Sequence, residues 1–93
     1  MDLHGTSAAV AKALLYHTLC EFAEGERTVT ELVVITGQGH HTGQDDAPVL
    51  PTTTRGFLAK DCDPPLEITD VEANAGRFMV RTASIRTWVE GHR

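Results

Sequence analysis

Helical spacing holds through Val10, Leu14 and Thr18, and through the apolar Ala11, Leu15, Leu19 and Phe22, the pattern of a helix with one covered face. Thr6 or Ser7 suits its N-cap and Gly25 its terminator, so the pattern predicts a helix over about residues 7–23. Ahead of it, Met1 to His4 reads as a very short strand, with Leu3 inward and Asp2 and His4 sharing the other face. After it, Leu32-Val33-Val34-Ile35-Thr36 is a continuous, largely β-branched run, the pattern of a parallel central strand covered on both faces. Strand, helix, strand is the right-handed crossover unit. Residues 37–47 form a loop rich in Gly, His and Asp. Pro48 then opens a second helix to about Lys60, with Val49, Leu50, Thr53, Phe57 and Leu58 as its stripe. Pro64-Pro65 breaks the chain. Leu66–Glu72 and Arg77–Arg81 follow as a hairpin around Asn74-Ala75-Gly76, and Ile85, Trp88 and Val89 mark one or two closing helical turns. The expected fold is α/β in two layers: β-α-β-α-β-β, a four-stranded mixed sheet with helices on one face and a short C-terminal helix.

At 93 residues, 41% apolar and 23% charged, the chain is a single globular domain spanning residues 1–93, too short for a doubly wound nucleotide-binding domain or a barrel. Its net charge of −5 argues against general attraction to nucleic acid, which needs clustered Lys and Arg. Cys20 and Cys62 form no Cys-x-x-Cys pair and read as idle thiols. No apolar run is long enough for a membrane span, and no basic, apolar signal segment opens the chain. A folded motif that starts at residue 2 suggests a domain cut from a longer protein. The expectation is a monomer without membrane contact.

In a sheet of this kind ligands bind beyond the carboxyl ends of parallel strands, where Asp2-Leu3-His4-Gly5 and Thr36-Gly37-Gln38-Gly39-His40-His41-Thr42 emerge. An aspartate two positions from a histidine on one face can hold the imidazole in one tautomer and raise its proton affinity, as a general base needs. Taken alone, Asp2 and His4 fit a surface turn better. A strand ending in Gly-x-Gly can curl its amides round an anion, Gly37 and Gly39 permitting close approach. The third glycine is misplaced for a dinucleotide fingerprint, and the P-loop lysine is missing. By itself the segment fits a plain glycine-rich connection slightly better. His4, His40, His41, Asp45 and Asp46 follow no standard zinc spacing, so no metal ligands are assigned. Basic residues gather late: the last eighteen residues hold four arginines against Glu90 alone, with Arg77 and Arg81 on one strand face where they can meet a phosphate backbone. Ordinary solvated arginines explain each of them equally well.

Taken together, the Asp2-Leu3-His4-Gly5 motif, the capped helix, the Ile35–Thr42 motif and the closing hairpin resemble the Smr (small MutS-related) domain over nearly the whole chain. His40 stands where that family usually has an apolar residue, Thr42 replaces its usual serine, and Met1 replaces Leu or Val. The resemblance implies a fold similar to the C-terminal domain of bacterial translation initiation factor three. It also implies nucleic-acid binding, with endonuclease activity on RNA (single strands favoured) or nicking of DNA. It carries catalysis onto Asp2 and His4, and phosphate binding onto Thr36, Gly37, Gln38, Gly39, His41 and Thr42, beside Arg77 and Arg81. The motifs require no cofactor, and magnesium is compatible with them. The ending Asn74-Ala75-Gly76-Arg77-Phe78 with Trp88-Val89 is similar to Smr domains fused to pentatricopeptide repeats in plants and algae. That similarity implies a sequence-reading repeat array in the same parent chain and a chloroplast or other organelle, its targeting peptide outside this chain. A non-catalytic RNA- or DNA-binding module and a protein-interaction module stay open as alternatives.

Overall fold

The structure, a computed structural model, describes residues 1–37, 49–71 and 76–92. Helix α1 (Ala8–Ala23) starts at Ser7, whose Oγ accepts the Val10 N–H at 3.2 Å and so satisfies one of the free amides of the first turn. It ends before Gly25, whose φ of 78° turns the chain away at a value few other residues tolerate. Ala11, Leu15, Thr18, Leu19 and Phe22 form its buried stripe, and the Thr18 hydroxyl donates to the Leu14 carbonyl at 3.0 Å.

Strands β1 (Leu32–Ile35), β2 (Ile68–Asp70) and β3 (Arg77–Val80) form a sheet in the order β1-β3-β2, and both pairings are antiparallel. Leu32 faces Val80, Ile35 faces Arg77, and Ile68 faces Val80. The expected hairpin is therefore present as β2–β3. The expected four-stranded mixed sheet is not reached among the described residues. The first segment makes one parallel bridge, Asp2 with Ile35, carried by Leu3 N–H to Ile35 O at 2.7 Å and Ile35 N–H to Met1 O at 2.8 Å. It stops there because Gly5 (φ 83°) bends the backbone and the Asp2 carboxylate takes the His4 N–H at 3.0 Å, which ends the ladder.

Helix α2 (Val49–Gly56) widens into a π-helical turn over Phe57–Asp61, closed by the Cys62 N–H on the Phe57 carbonyl at 3.0 Å. Helix α3 (Thr82–Gly91) is longer than the sequence suggests and takes Arg81 as its N-cap, so Arg81 leaves the strand assigned to it. All three helices feed one core: Leu15 and Phe22, Leu58, Ile85 and Trp88 pack with Leu3, Val34, Phe78 and Val80. The helices thus lie against a single face of the sheet, as the two-layer reading expects. On the other face Val33, Ile35, Thr69, Arg77 and Met79 are half-buried. Among the described residues β1 is buried on one side and half-buried on the other, and its ladder with β3 is antiparallel rather than parallel. No helix among the described residues is long and apolar enough to cross a membrane.

Candidate functional site

Leu3 is buried in the core, so alternation sends its neighbours Asp2 and His4 to the side of the sheet away from the helices. Both are exposed. The parallel bridge sets Asp2 beside Ile35, and Ile35 in turn faces Arg77. Two residues past Ile35, the chain passes through Gly37 with φ 73°. A β-carbon there would stand 3.3 Å from His4 Cδ2 and 3.7 Å from His4 Cβ. Glycine is therefore required twice, by the left-handed backbone and by the imidazole lying against it. The structure brings His4, Gly37 and Arg77 to the same end of one sheet face.

The Arg77 guanidinium is the unusual group here. Its Nε is buried and has no hydrogen-bond partner among the described residues. A buried N–H without an acceptor is costly, and a bound anion is one means of satisfying it. Arg55, which reaches the same strand from the helical layer, is already committed: it pairs with Asp70 at 2.6 Å and lies 4.9 Å over the Phe78 ring.

Several expected roles change. Asp2 does not hold the imidazole of His4; its carboxylate accepts the backbone N–H of His4, which fixes the turn rather than the ring. The Gly37 N–H, expected to face a phosphate, donates to the Gly76 carbonyl at 3.0 Å, beside the Thr36 N–H at 2.8 Å. Thr36 is buried and its hydroxyl turns to the Gly76 carbonyl at 3.3 Å and the Gly37 carbonyl at 3.2 Å. Gly76 therefore staples β1 to β3 and spends these donors on the fold, since buried amides must be paired. The sequence shows Gly76 as a turn residue and gives no sign of this second duty. Arg81 does not join Arg77. It follows Val80, opposite Leu32, at the other end of the sheet, where its Nε lies 3.6 Å from Glu67 and its Nη1 donates to Thr69 at 3.5 Å. Gln38, Gly39, His41 and Thr42 lie outside the described residues, as do His40, Asp45 and Asp46.

The thiols stand apart from this region. Cys62 is buried, and burial with the nearby Asp61 charge pushes its thiol up to about 11, so it stays neutral at ordinary pH. Cys20 is half-buried, and its hydrogen bond with Tyr16 raises the phenol above its usual value. Among the described residues no three His, Cys, Asp or Glu side chains gather to hold a metal ion. No family model, curated protein or solved structure matches the chain.

Proposed function

We propose that this chain is an Smr-type nucleic-acid module whose phosphodiester site lies over Gly37, between His4 and Arg77. The observation that carries the reading is the side-chain-free glycine against the His4 imidazole, at the sheet end that also holds the unpartnered Arg77 Nε. The parallel bridge of Asp2 with Ile35 supports the strand–helix–strand start that the Smr resemblance implies, and with it a fold similar to the C-terminal domain of translation initiation factor three.

In the catalytic form of the reading, Arg77 neutralises the phosphate and lowers the cost of charge developing on its oxygens. His4 takes the proton of the attacking RNA 2′-hydroxyl, or of a water molecule, as the new O–P bond forms and the bond to the leaving oxygen breaks. Asp2 positions His4 through its backbone. The adjoining repeat array, the organellar location and the choice of RNA over DNA belong to the same proposal and rest on the resemblance.

A second reading, binding without cleavage, is favoured by one detail. The Asp2 carboxylate is spent on a backbone N–H, and among the described residues nothing hydrogen-bonds the His4 ring. Incubation of a short single-stranded RNA with the domain, once in chelator and once in magnesium, separates the two. The catalytic reading expects cleavage that His4→Ala abolishes while the far-ultraviolet circular dichroism is kept. Cleavage undiminished in that variant refutes it.

A further inference from the structure

The extent of nucleic acid that the site can grip follows from where the cations stand, and the inference rests on the reading above. A strand of nucleic acid tracked along a protein surface needs a succession of positive side chains facing its phosphates. Along this stretch there are two arginines, Arg77 at the start of β3 and Arg81 just past its end, four residues or roughly 13 Å apart at about 3.3 Å per residue. They are not equivalent. Arg81 lies against Glu67 and Thr69, and Glu31 lines the same hollow together with Met79, Thr82 and Ala83. The Glu67 carboxylate beside that guanidinium offsets its charge and leaves that end with little net attraction for a phosphate. Half-buried Val33 and Met79 occupy the stretch between.

Among the described residues the rest of the chain does not make up the difference. The sequence holds no Lys or Arg between Arg27 and Arg55, nor between Lys60 and Arg77, so the segments on either side of Gly37 and Gly76 add no permanent positive charge, while Asp45, Asp46 and Glu72 add negative charge. Arg27 pairs with Glu21 and Arg55 with Asp70. Lys12, Lys60 and Arg86 belong to the helices and the π-helical turn of the other layer.

We propose that the Gly37 site engages one phosphodiester group of a single strand, so that a dinucleotide fills it, and that no phosphate track runs along the sheet to Arg81. The described surface past that group neither attracts nor holds more backbone, and a longer strand gains only the statistical benefit of offering more phosphates.

The test compares a dinucleotide with a ten-nucleotide single strand, both built of 2′-O-methyl ribose so that no sugar hydroxyl can attack and both checked for intactness afterwards, titrated into the intact chain and followed by the amide signals of Ile35, Gly37 and Arg77. The two affinities are expected within about tenfold of one another, the longer strand having about nine phosphates to offer. The slope of log K against log salt is expected near −0.7, the value for about one phosphate on a single strand. Arg77→Met, which keeps the aliphatic stem and drops the charge, is expected to weaken both ligands about tenfold or more, and Arg81→Met to leave both within twofold. A ten-nucleotide strand bound a hundredfold more tightly than the dinucleotide overturns the proposal, as does a slope steeper than about −2 or an Arg81→Met loss equal to that of Arg77→Met. Those outcomes leave the nucleic-acid reading standing. Failure of both ligands to bind, or binding indifferent to Arg77→Met, overturns that reading together with this one.

Discussion

Arg77 opens β3 and Arg81 follows its last residue, four positions on, and the two end in opposite circumstances. Arg77 is half-buried beside Ile35 with an Nε–H that finds no acceptor among the described residues, close to the glycine against which His4 lies. Arg81 caps a helix and reaches two partners, Glu67 and Thr69, in the open. Alternation in the sequence puts both on one face. What separates them is the neighbouring strand: β1 brings a small aliphatic surface and a glycine to one end, while the segment before β2 brings a carboxylate to the other. A buried donor left unmet gains from an anion that reaches it, whereas a cation already paired in the open gains little.

The comparison can be broken from several sides. The largest effect is expected from Phe78→Ala. Phe78 is fully buried between the two arginines on the opposite face, and its removal should cost roughly 3–5 kcal/mol, lowering the urea midpoint and loosening both ends alike. Gly37→Ala comes next, at roughly 1–2 kcal/mol for a left-handed backbone, with a new methyl 3.3 Å from His4 Cδ2. Its mark is selectivity: the His4 imidazole signals should shift and nucleotide binding should fall, while the Arg81–Glu67 end keeps its spectrum.

Arg77→Met is expected to move stability little and in the other direction, by up to about 1 kcal/mol, because it removes a buried donor that has no acceptor. A clear loss of stability in that variant would mean that Arg77 is held by contacts of the fold, and the reading of it as a cation with an unmet donor would fall. Arg81→Met breaks an exposed pair worth roughly 0–1 kcal/mol and should barely shift the midpoint, least of all at high salt.

The smallest effect lies away from the sheet face. The folded Cys62 thiol is raised to about 11, above its unfolded value near 9, so the unfolded chain loses its proton first. The contribution is complete below about pH 9 and is lost as pH rises through about 11. Cys62→Ala should flatten that alkaline slope in denaturant titrations and leave neutral behaviour close to unchanged.

Much of this molecule was legible in the order of its residues. The stripe from Ala11 to Phe22 with Ser7 ahead and Gly25 behind fixed α1 almost to the residue, because a helix depends on contacts within its own length. The hairpin round Gly76 and the run at Leu32–Ile35 were legible for the same reason. Reach was not. Met1–His4 reads as a strand, yet its ladder closes after one bridge, and Arg81 reads as strand but caps α3. Local preference cannot tell where a partner strand ends.

The candidate site divides in the same way. Residue types and alternation paired Asp2 with His4 on one strand and Arg77 with Arg81 on another without help from the tertiary structure. Only the packed fold determined that Gly37 presses on the His4 ring, that Gly76 absorbs the Thr36 and Gly37 donors, that Asp2 holds a backbone amide, and that Arg81 is paired while Arg77 is not. Those outcomes depend on which strands become neighbours and in what register, and a one-residue change of register exchanges every such partner.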